Sequence, residues 1–256
     1  MSSGIALATL TYLEFHLLFV LPPIAALLVL ADPAERPYAG PLGVALLAVV
    51  AVLYTTPWDN HLIATGVWTY GEGTVRFRIW NAPIGEYLFF LLQPVLTSLW
   101  LVRLPTRSDY EPGIPLSDRA LGLLGGGLVA ALGFALLSKS TYYLGTLLLW
   151  ASPVLAIQWA FGWPVLWERR RTLALGVGVP TTYLAVIDRV AIALGVWTFD
   201  ETYLTGIEIL GLPVEELLFF GLTNLFLVQG LLLLWWVTDH WAQVRTAWNR
   251  GLPIGS

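Results

Sequence analysis

Apolar residues run in long blocks along this chain, separated by short clusters of Asp, Arg, Pro and Gly. Seven blocks are long enough to read as helices crossing a bilayer, which takes about 20 mostly apolar residues each. They lie near 5–30, 41–56, 83–102, 119–137, 141–161, 172–196 and 213–237. Polar breaks fall at 32–41, 58–81, 103–118, Lys139, 168–171 and 197–212. Pro22, Pro23 and Pro153 stand inside blocks, where each removes a backbone donor and is expected to bend its helix. The pattern predicts an all-α polytopic membrane protein with seven transmembrane helices.

Composition agrees with the pattern and excludes several classes. The chain is 57% hydrophobic and 12% charged, with a mean hydropathy of +0.72. A soluble domain carries about a quarter charged residues. The net charge of −4 is spread thinly, which argues against a nucleic-acid partner. Without cysteine there is no disulfide framework, thiol nucleophile or thiolate metal site. Residues 1–9 contain no basic stretch, so the first apolar block is expected to be a retained helix and not a cleaved signal. Orientation follows from Lys and Arg. With the N-terminus outside, the inner segments hold Arg36, Arg103, Arg107, Arg119, Arg169, Arg170, Arg171, Arg245 and Arg250, against Arg76, Arg78 and Lys139 outside. The expectation is an integral protein of the cell membrane, N-terminus outside and C-terminus cytoplasmic.

The chain also repeats itself. Thr11-Tyr12 and Pro23 recur as Thr141-Tyr142 and Pro153, and Asp59, Gly66 and Trp68 recur as Asp188, Gly195 and Trp197. Pro83, Glu86, Phe89 and Phe90 recur as Pro213, Glu216, Phe219 and Phe220. The offset hardly changes from one motif to the next, which coincidence would not produce. Spans one to three therefore repeat as five to seven, joined by span four. The expected units are a first repeat over 1–110, a joining span over 111–140, a second repeat over 141–240 and a tail over 241–256. A single joining span restores the direction of the chain, so the two repeats run parallel about a pseudo-twofold axis along the membrane normal. The acidic motifs of both copies then fall at one end of the bundle, where they can converge on one site.

The recurring constellation is Asp, then Gly-Val-Trp, then Pro-x-x-Glu-x-x-Phe-Phe. Glu216 stands one helical turn before Phe219 and Phe220, so acid and rings share a face. Carboxylates in a membrane helix are expensive to keep and point to function. Four of them, Asp59, Glu86, Asp188 and Glu216, cannot all ionise in a dry site, and one is left holding a proton. Glu215, next to Glu216, is a fifth candidate. Aromatic faces beside such acids stabilise a cation without a lone pair that would trap it. Phe89, Phe90, Phe219, Phe220, Trp68 and Trp197 are candidates for that work. Each piece also has an ordinary reading: Pro with Glu at a helix start is common, Phe-Phe packs, and Trp anchors at interfaces. Glu14, inside the first span, is a further candidate for facing the site, and His16 a weaker one. Arg189 beside Asp188 reads as a buried ion pair fixing the fold, and His61 as an outer-loop residue. Three scattered histidines give no metal-ligand spacing, and no Gly-x-Gly-x-x-Gly stands between a strand and a helix. No metal or cofactor is expected. Gly125-Gly126-Gly127 lies within a span and suits close helix packing.

At these residues the chain resembles the membrane-type lycopene β-cyclases of carotenoid synthesis, in their fused form with both halves in one polypeptide. The resemblance rests on the duplicated motif and runs from about Tyr12 to Val237. It implies redox-neutral cyclisation of the linear ψ-ends of lycopene to β-ionone rings, through γ-carotene to β-carotene. Glu86, Glu216, Asp59 and Asp188 match the family's motif acids. Gly85 stands where the second copy has Glu215, and Asp59-Asn60 where it has Asp188-Arg189, so the halves are not equivalent. The implied partners are lycopene or γ-carotene drawn from the bilayer, and membrane lipids; oligomeric state stays open. A related ε- or γ-ring cyclase, a cyclase of a longer carotenoid, and a small-molecule transporter are the alternatives. A retinal photoreceptor is disfavoured because the last span lacks a lysine.

Overall fold

The computed structural model describes residues 10–30 and 41–249. Residues 1–9, on which the retained-helix expectation rests, and Arg36 and Arg250 of the charge count lie outside the described residues. Among the described residues seven helical segments are long and apolar enough to cross a membrane, and the protein is an integral membrane protein. The first comprises α1 (Tyr12–Phe15), a π-helical turn over His16–Val20, and α2 (Leu21–Val29). The others are α3 (Pro41–Thr65), α4 (Ile84–Leu101), α5 (Leu116–Ala135), α6 (Tyr142–Glu168), α7 (Arg170–Ala193) and α8 (Val214–Asp239). The tail carries one more helix, α9 (Trp241–Asn249).

Two expectations about proline are resolved by where the freed carbonyls go. Pro23 cannot donate to the carbonyl of Phe19, which instead accepts the Tyr183 hydroxyl, and the irregular π turn precedes the two prolines. Pro153 does not break α6, because the Leu149 carbonyl it leaves free accepts the Ser152 hydroxyl at 2.9 Å. The break in that helix comes at Gly162, whose φ of −169° and ψ of 42° are non-helical, two residues before Pro164. The second span is also longer than the apolar block suggests. It continues through the polar sequence 57–61, so Asp59, Asn60 and His61 are helical and not part of an outer loop.

Glycine sets the packing of the joining helix. A Cβ on Gly126 would lie 2.4 Å from that of Ala156, and one on Gly122 2.4 Å from the backbone of Trp159 and Ala160. Only glycine lets α5 lie this close to α6.

The Gly-Val-Trp motif is a helix stop. Gly66 (φ 83°) and Gly195 (φ 69°) take the left-handed conformation just after α3 and α7. The next N–H reaches back across the turn, Val67 to Leu62 and Val196 to Ala191, both at 3.0 Å. Both valines are fully buried, and the tryptophans open strands β1 (Trp68–Tyr70) and β4 (Trp197–Phe199). These strands pair antiparallel, with Thr69 opposite Thr198, its own counterpart in the repeat. Two hairpins follow, β2 (Arg78–Ile79) with β3 (Ala82–Pro83), and β5 (Glu208–Ile209) with β6 (Leu212–Pro213). Each runs directly into a helix, with Pro83 and Pro213 at the N-cap and Glu86 and Glu216 in the first turn.

Equivalent residues meet at two heights. The Thr69 and Thr198 hydroxyls are 3.3 Å apart at the strand pair, and Gln93 Nε2 donates to Thr223 Oγ1 at 2.8 Å two turns into α4 and α8. A pseudo-twofold axis has to pass through both contacts, so it runs along the helices and the two halves are parallel. That places every motif acid at the same end of the bundle.

Candidate active site

Asp59 sits near the end of α3 and Asp188 near the end of α7, while Glu86 and Glu216 sit in the first turns of α4 and α8. Because the halves are parallel, these four positions surround one cavity on the pseudo-twofold axis, and all four acids line it. The cavity has about 570 Å³ of empty space including its open mouth. All the remaining lining is apolar or aromatic: Phe89, Phe219, Phe220, Trp68 and Trp197 from the motifs, with Tyr12, Phe15, Trp58, Tyr143, Leu184, Ile187 and Phe199. Trp58 and Phe219 stack at 5.8 Å with 15° between their planes, and Phe89 meets Phe220 edge-on at 6.0 Å.

Tyrosines and tryptophans organise the acids. Tyr143 donates to Glu216 at 2.5 Å, Tyr70 donates to Glu86 at 2.6 Å, and the Tyr12 phenol lies beside Glu86. Trp197 Nε1 donates to Asp188 at 2.9 Å, whereas its counterpart Trp68 donates to the Tyr70 hydroxyl at 3.0 Å. Burial first, and then the negative charges of Glu86 and Asp59, push the Tyr70 phenol well above its ordinary range. Tyr70 therefore stays a hydroxyl donor at any ordinary pH. One buried oxygen on each of Asp59 and Asp188 has no hydrogen-bond partner, and Glu216 lies within electrostatic reach of Asp188, Glu86 and Glu215.

The two halves differ at this site. Tyr70 is replaced by Phe199 in the second half, so Glu86 has two phenols beside it, Tyr70 as donor and Tyr12, and Glu216 has one. Gly85 makes room for Tyr12: a Cβ there would lie 2.3 Å from Tyr12 Cδ1. Glu215, at the same place in the second half, is fully buried but lies off the cavity, where it accepts the Thr205 N–H at 2.7 Å.

Three more expectations are corrected. Phe90 turns away from the acids and lines a second cavity deeper in the bundle. Glu14 is exposed and closes a capping box with Thr11, whose N–H and hydroxyl it accepts at 2.8 and 2.7 Å. Arg189 forms no pair with Asp188; its guanidinium lies against Gly211 in the β5–β6 hairpin. Asn60, at the equivalent position, binds the other hairpin through the N–H groups of Asn81 (2.8 Å) and Ala82 (3.0 Å). Asn60 thus hydrogen-bonds one hairpin to a helix end, and Arg189 packs against the other. His16 is buried with Nδ1 2.8 Å from the Tyr12 carbonyl, and His61 is exposed at the end of α3. Neither lines the cavity.

Tyr12, Tyr143, Tyr70, Trp58, Phe15 and Phe199 are site residues that motif reading did not select. The repeat offset aligns Tyr12 with Tyr142, yet the tyrosine that reaches the second glutamate is the next residue, Tyr143. That slip concealed the pair. Among the described residues no cluster of His, Asp or Glu has the arrangement to hold a metal.

Comparison with known proteins places this arrangement. A family model described as lycopene cyclase matches residues 9–103 and again 139–235, once in each half. The chain belongs to the lycopene cyclase family. Within it, a lycopene beta-cyclase of Halobacterium salinarum is 49% identical over 235 residues, covering 91% of this chain and 99% of that protein. A bifunctional lycopene cyclase/phytoene synthase of Aspergillus niger is 33% identical over 229 residues, or 84% of this chain and 38% of that protein. Another from Sporisorium reilianum is 35% identical over 246 residues, or 87% and 34%. The chain thus spans a little over a third of these fungal relatives. No solved structure matches it.

Proposed function

We propose that this chain is a lycopene β-cyclase, closing the linear ψ-ends of lycopene to β-ionone rings by way of γ-carotene to β-carotene. The observation that carries the reading is the single aromatic cavity holding four carboxyl groups at a bundle end. A proton donor, a proton acceptor and cation-stabilising rings in a water-poor hole are what carbocation cyclisation of a hydrocarbon needs. Glu216, as a carboxylic acid, donates its proton to C2 of the terminal double bond. The C1 cation is attacked by the C5–C6 double bond, which forms the C1–C6 bond and leaves charge at C5. Loss of the C6 proton to Glu86 or Asp188 restores a C5–C6 double bond. One proton is gained and one lost, so no electron acceptor is consumed.

The asymmetry supports this division of labour. Glu86 accepts from Tyr70, a permanent donor, with the Tyr12 phenol beside it, and such a bond favours the proton-accepting carboxylate. Because both halves contribute to one cavity, one end of the carotenoid reacts in each binding event. Phe89, Phe219, Phe220, Trp68 and Trp197 shield the cation. The substrate comes laterally from the bilayer, in a cell membrane with the N-terminus outside, and membrane lipids surround the helices. Clustering of Arg169, Arg170 and Arg171 at the end opposite the acids supports that orientation. The test is pigment analysis of lycopene-accumulating cells expressing the chain or its Glu216→Gln variant. Ring formation by the parent alone is expected; wild-type conversion by the variant would remove Glu216 from the role of acid.

A further inference from the structure

The cyclisation cavity takes one end group, and the conjugated chain attached to it has to lie elsewhere. A second cavity, with about 600 Å³ of empty space, sits deeper in the bundle between α3, α4, α6 and α8. It reaches Thr223 and Leu227, two and three turns beyond Glu216 on α8. At 1.5 Å per residue that is about 10–16 Å further into the membrane. The two cavities share one aromatic wall. Trp150 lines the deep cavity and stacks at 4.9 Å on Trp58, which lines the upper one; Phe219 of the upper cavity touches both, at 5.8 and 6.3 Å. Consecutive residues Phe89 and Phe90 face one cavity each.

The deep cavity suits a hydrocarbon. Three of its polar side chains donate into the protein: Tyr54 to the Trp150 carbonyl at 2.6 Å, Gln93 to Thr223 at 2.8 Å and Gln158 to the Phe226 carbonyl at 2.9 Å, the last leaving its own Oε1 buried without a partner. Most of what they leave for a ligand is the faces of Tyr54, Phe90, Trp150 and Phe226 with aliphatic surface between. Trp150 also has an indole N–H with no oxygen partner, a donor that a π system accepts weakly. Val50, half exposed on the outer face of α3, marks a side open toward lipid.

We propose that this second cavity is the binding subsite for the conjugated polyene of the substrate, with Trp58, Trp150 and Phe219, which pack against one another between the two cavities, parting to form a collar around the chain. This rests on the cyclase reading for the identity of the ligand. The subsite explains how a featureless hydrocarbon can be positioned: length and stiffness below the collar hold the ψ-end at the acids, where no polar handle exists to do so.

The experiment fills the cavity and follows lycopene itself. Ala51→Phe on α3 and Val154→Phe on α6 each place a ring in the deep cavity, away from the four acids. Purified wild type and variants in detergent are titrated with lycopene, reading the circular dichroism that a chiral site imposes on the polyene. Melting temperature and size-exclusion profile confirm folding, and the milder Ala51→Val replaces either variant that fails these. Binding at least about tenfold weaker than wild type, with a matching rise in KM for ring formation, is expected. Binding unchanged in folded variants would overturn the subsite. So would unchanged lycopene binding coupled with loss of a co-purified phospholipid, which would make the cavity a lipid site. Wild type that binds lycopene in a variant-sensitive way but forms no ring would leave the subsite standing and remove the cyclase reading.

Discussion

Replacing Gly85 by Ala tests why the two halves of this protein differ. A Cβ at Gly85 would lie 2.3, 2.5 and 2.7 Å from three atoms of the Tyr12 ring, distances no real Cβ sustains. The ring has little room to retreat. It is 6% exposed and held between His16 at 4.8 Å and Trp197 at 4.9 Å, with Tyr70 beyond at 6.2 Å. Overpacking of this kind costs about 1–3 kcal/mol. Against it stands the helix gain of Ala over Gly, at most about 1 kcal/mol and less in a first turn, where Gly85 lies. Steric strain wins, for a net loss of about 1–2 kcal/mol. The larger effect falls on the chemistry. A displaced Tyr12 takes its phenol from beside Glu86 and disturbs the Tyr70 ring stacked on it, and a weakened donor set at a buried carboxyl group costs about 1–3 kcal/mol. Ring formation should slow by about 10- to 100-fold. The assay is the initial rate of cyclic carotenoid appearance in membranes, alongside thermal unfolding in detergent. Tyr12→Phe, which keeps the ring and loses the hydroxyl, should reproduce the slower rate with a smaller change in unfolding temperature. A Gly85→Ala protein with wild-type rate and unfolding temperature would refute the account of the asymmetry.

Three further outcomes follow from the same contacts. Asn60→Ala removes the acceptor of the Asn81 and Ala82 N–H groups and leaves the buried Ala82 donor unpaired, so unfolding in detergent should show a loss of about 1–3 kcal/mol; an unchanged midpoint would show that the hairpin does not depend on it. Glu215→Gln keeps an oxygen for the Thr205 N–H and lies off the cavity, so pigment analysis should show turnover retained, unlike Glu216→Gln; loss of turnover in a folded protein would return Glu215 to the chemistry. Glu14→Ala breaks only an exposed capping box, and its ring-forming rate should equal that of the parent; a fall in rate at unchanged protein level would contradict that placement.

Much of the architecture was written in patterns that depend on nothing beyond local chemistry. Block length and hydropathy identified seven spans because every backbone polar group in lipid has to be satisfied within its own helix. The near-constant offset between motifs exposed the duplication, and counting spans made the halves parallel. Asp59, Glu86, Asp188 and Glu216 could be named because carboxylates at apolar helix ends have no ordinary reason to recur. Boundaries were less legible where polar residues serve the interior. The stretch 57–61 looks like a loop, yet it is helix, since Asp59 and Asn60 face a cavity and a hairpin and not water.

The direction in which each side chain points came from packing alone. Adjacent acids Glu215 and Glu216 are about 100° apart around one helix, so one reaches a loop and the other the cavity. The same rotation separates Phe89 from Phe90. Tyr12, Tyr143 and Tyr70 become partners of glutamates through contacts between distant segments, farther apart than any local periodicity spans. The order of residues is enough to gather four acids and their aromatic neighbours at one end of a duplicated membrane bundle. Which of them share a cavity, and which hold the walls in place, was settled in three dimensions, because a helix shows only part of its surface to any one neighbour.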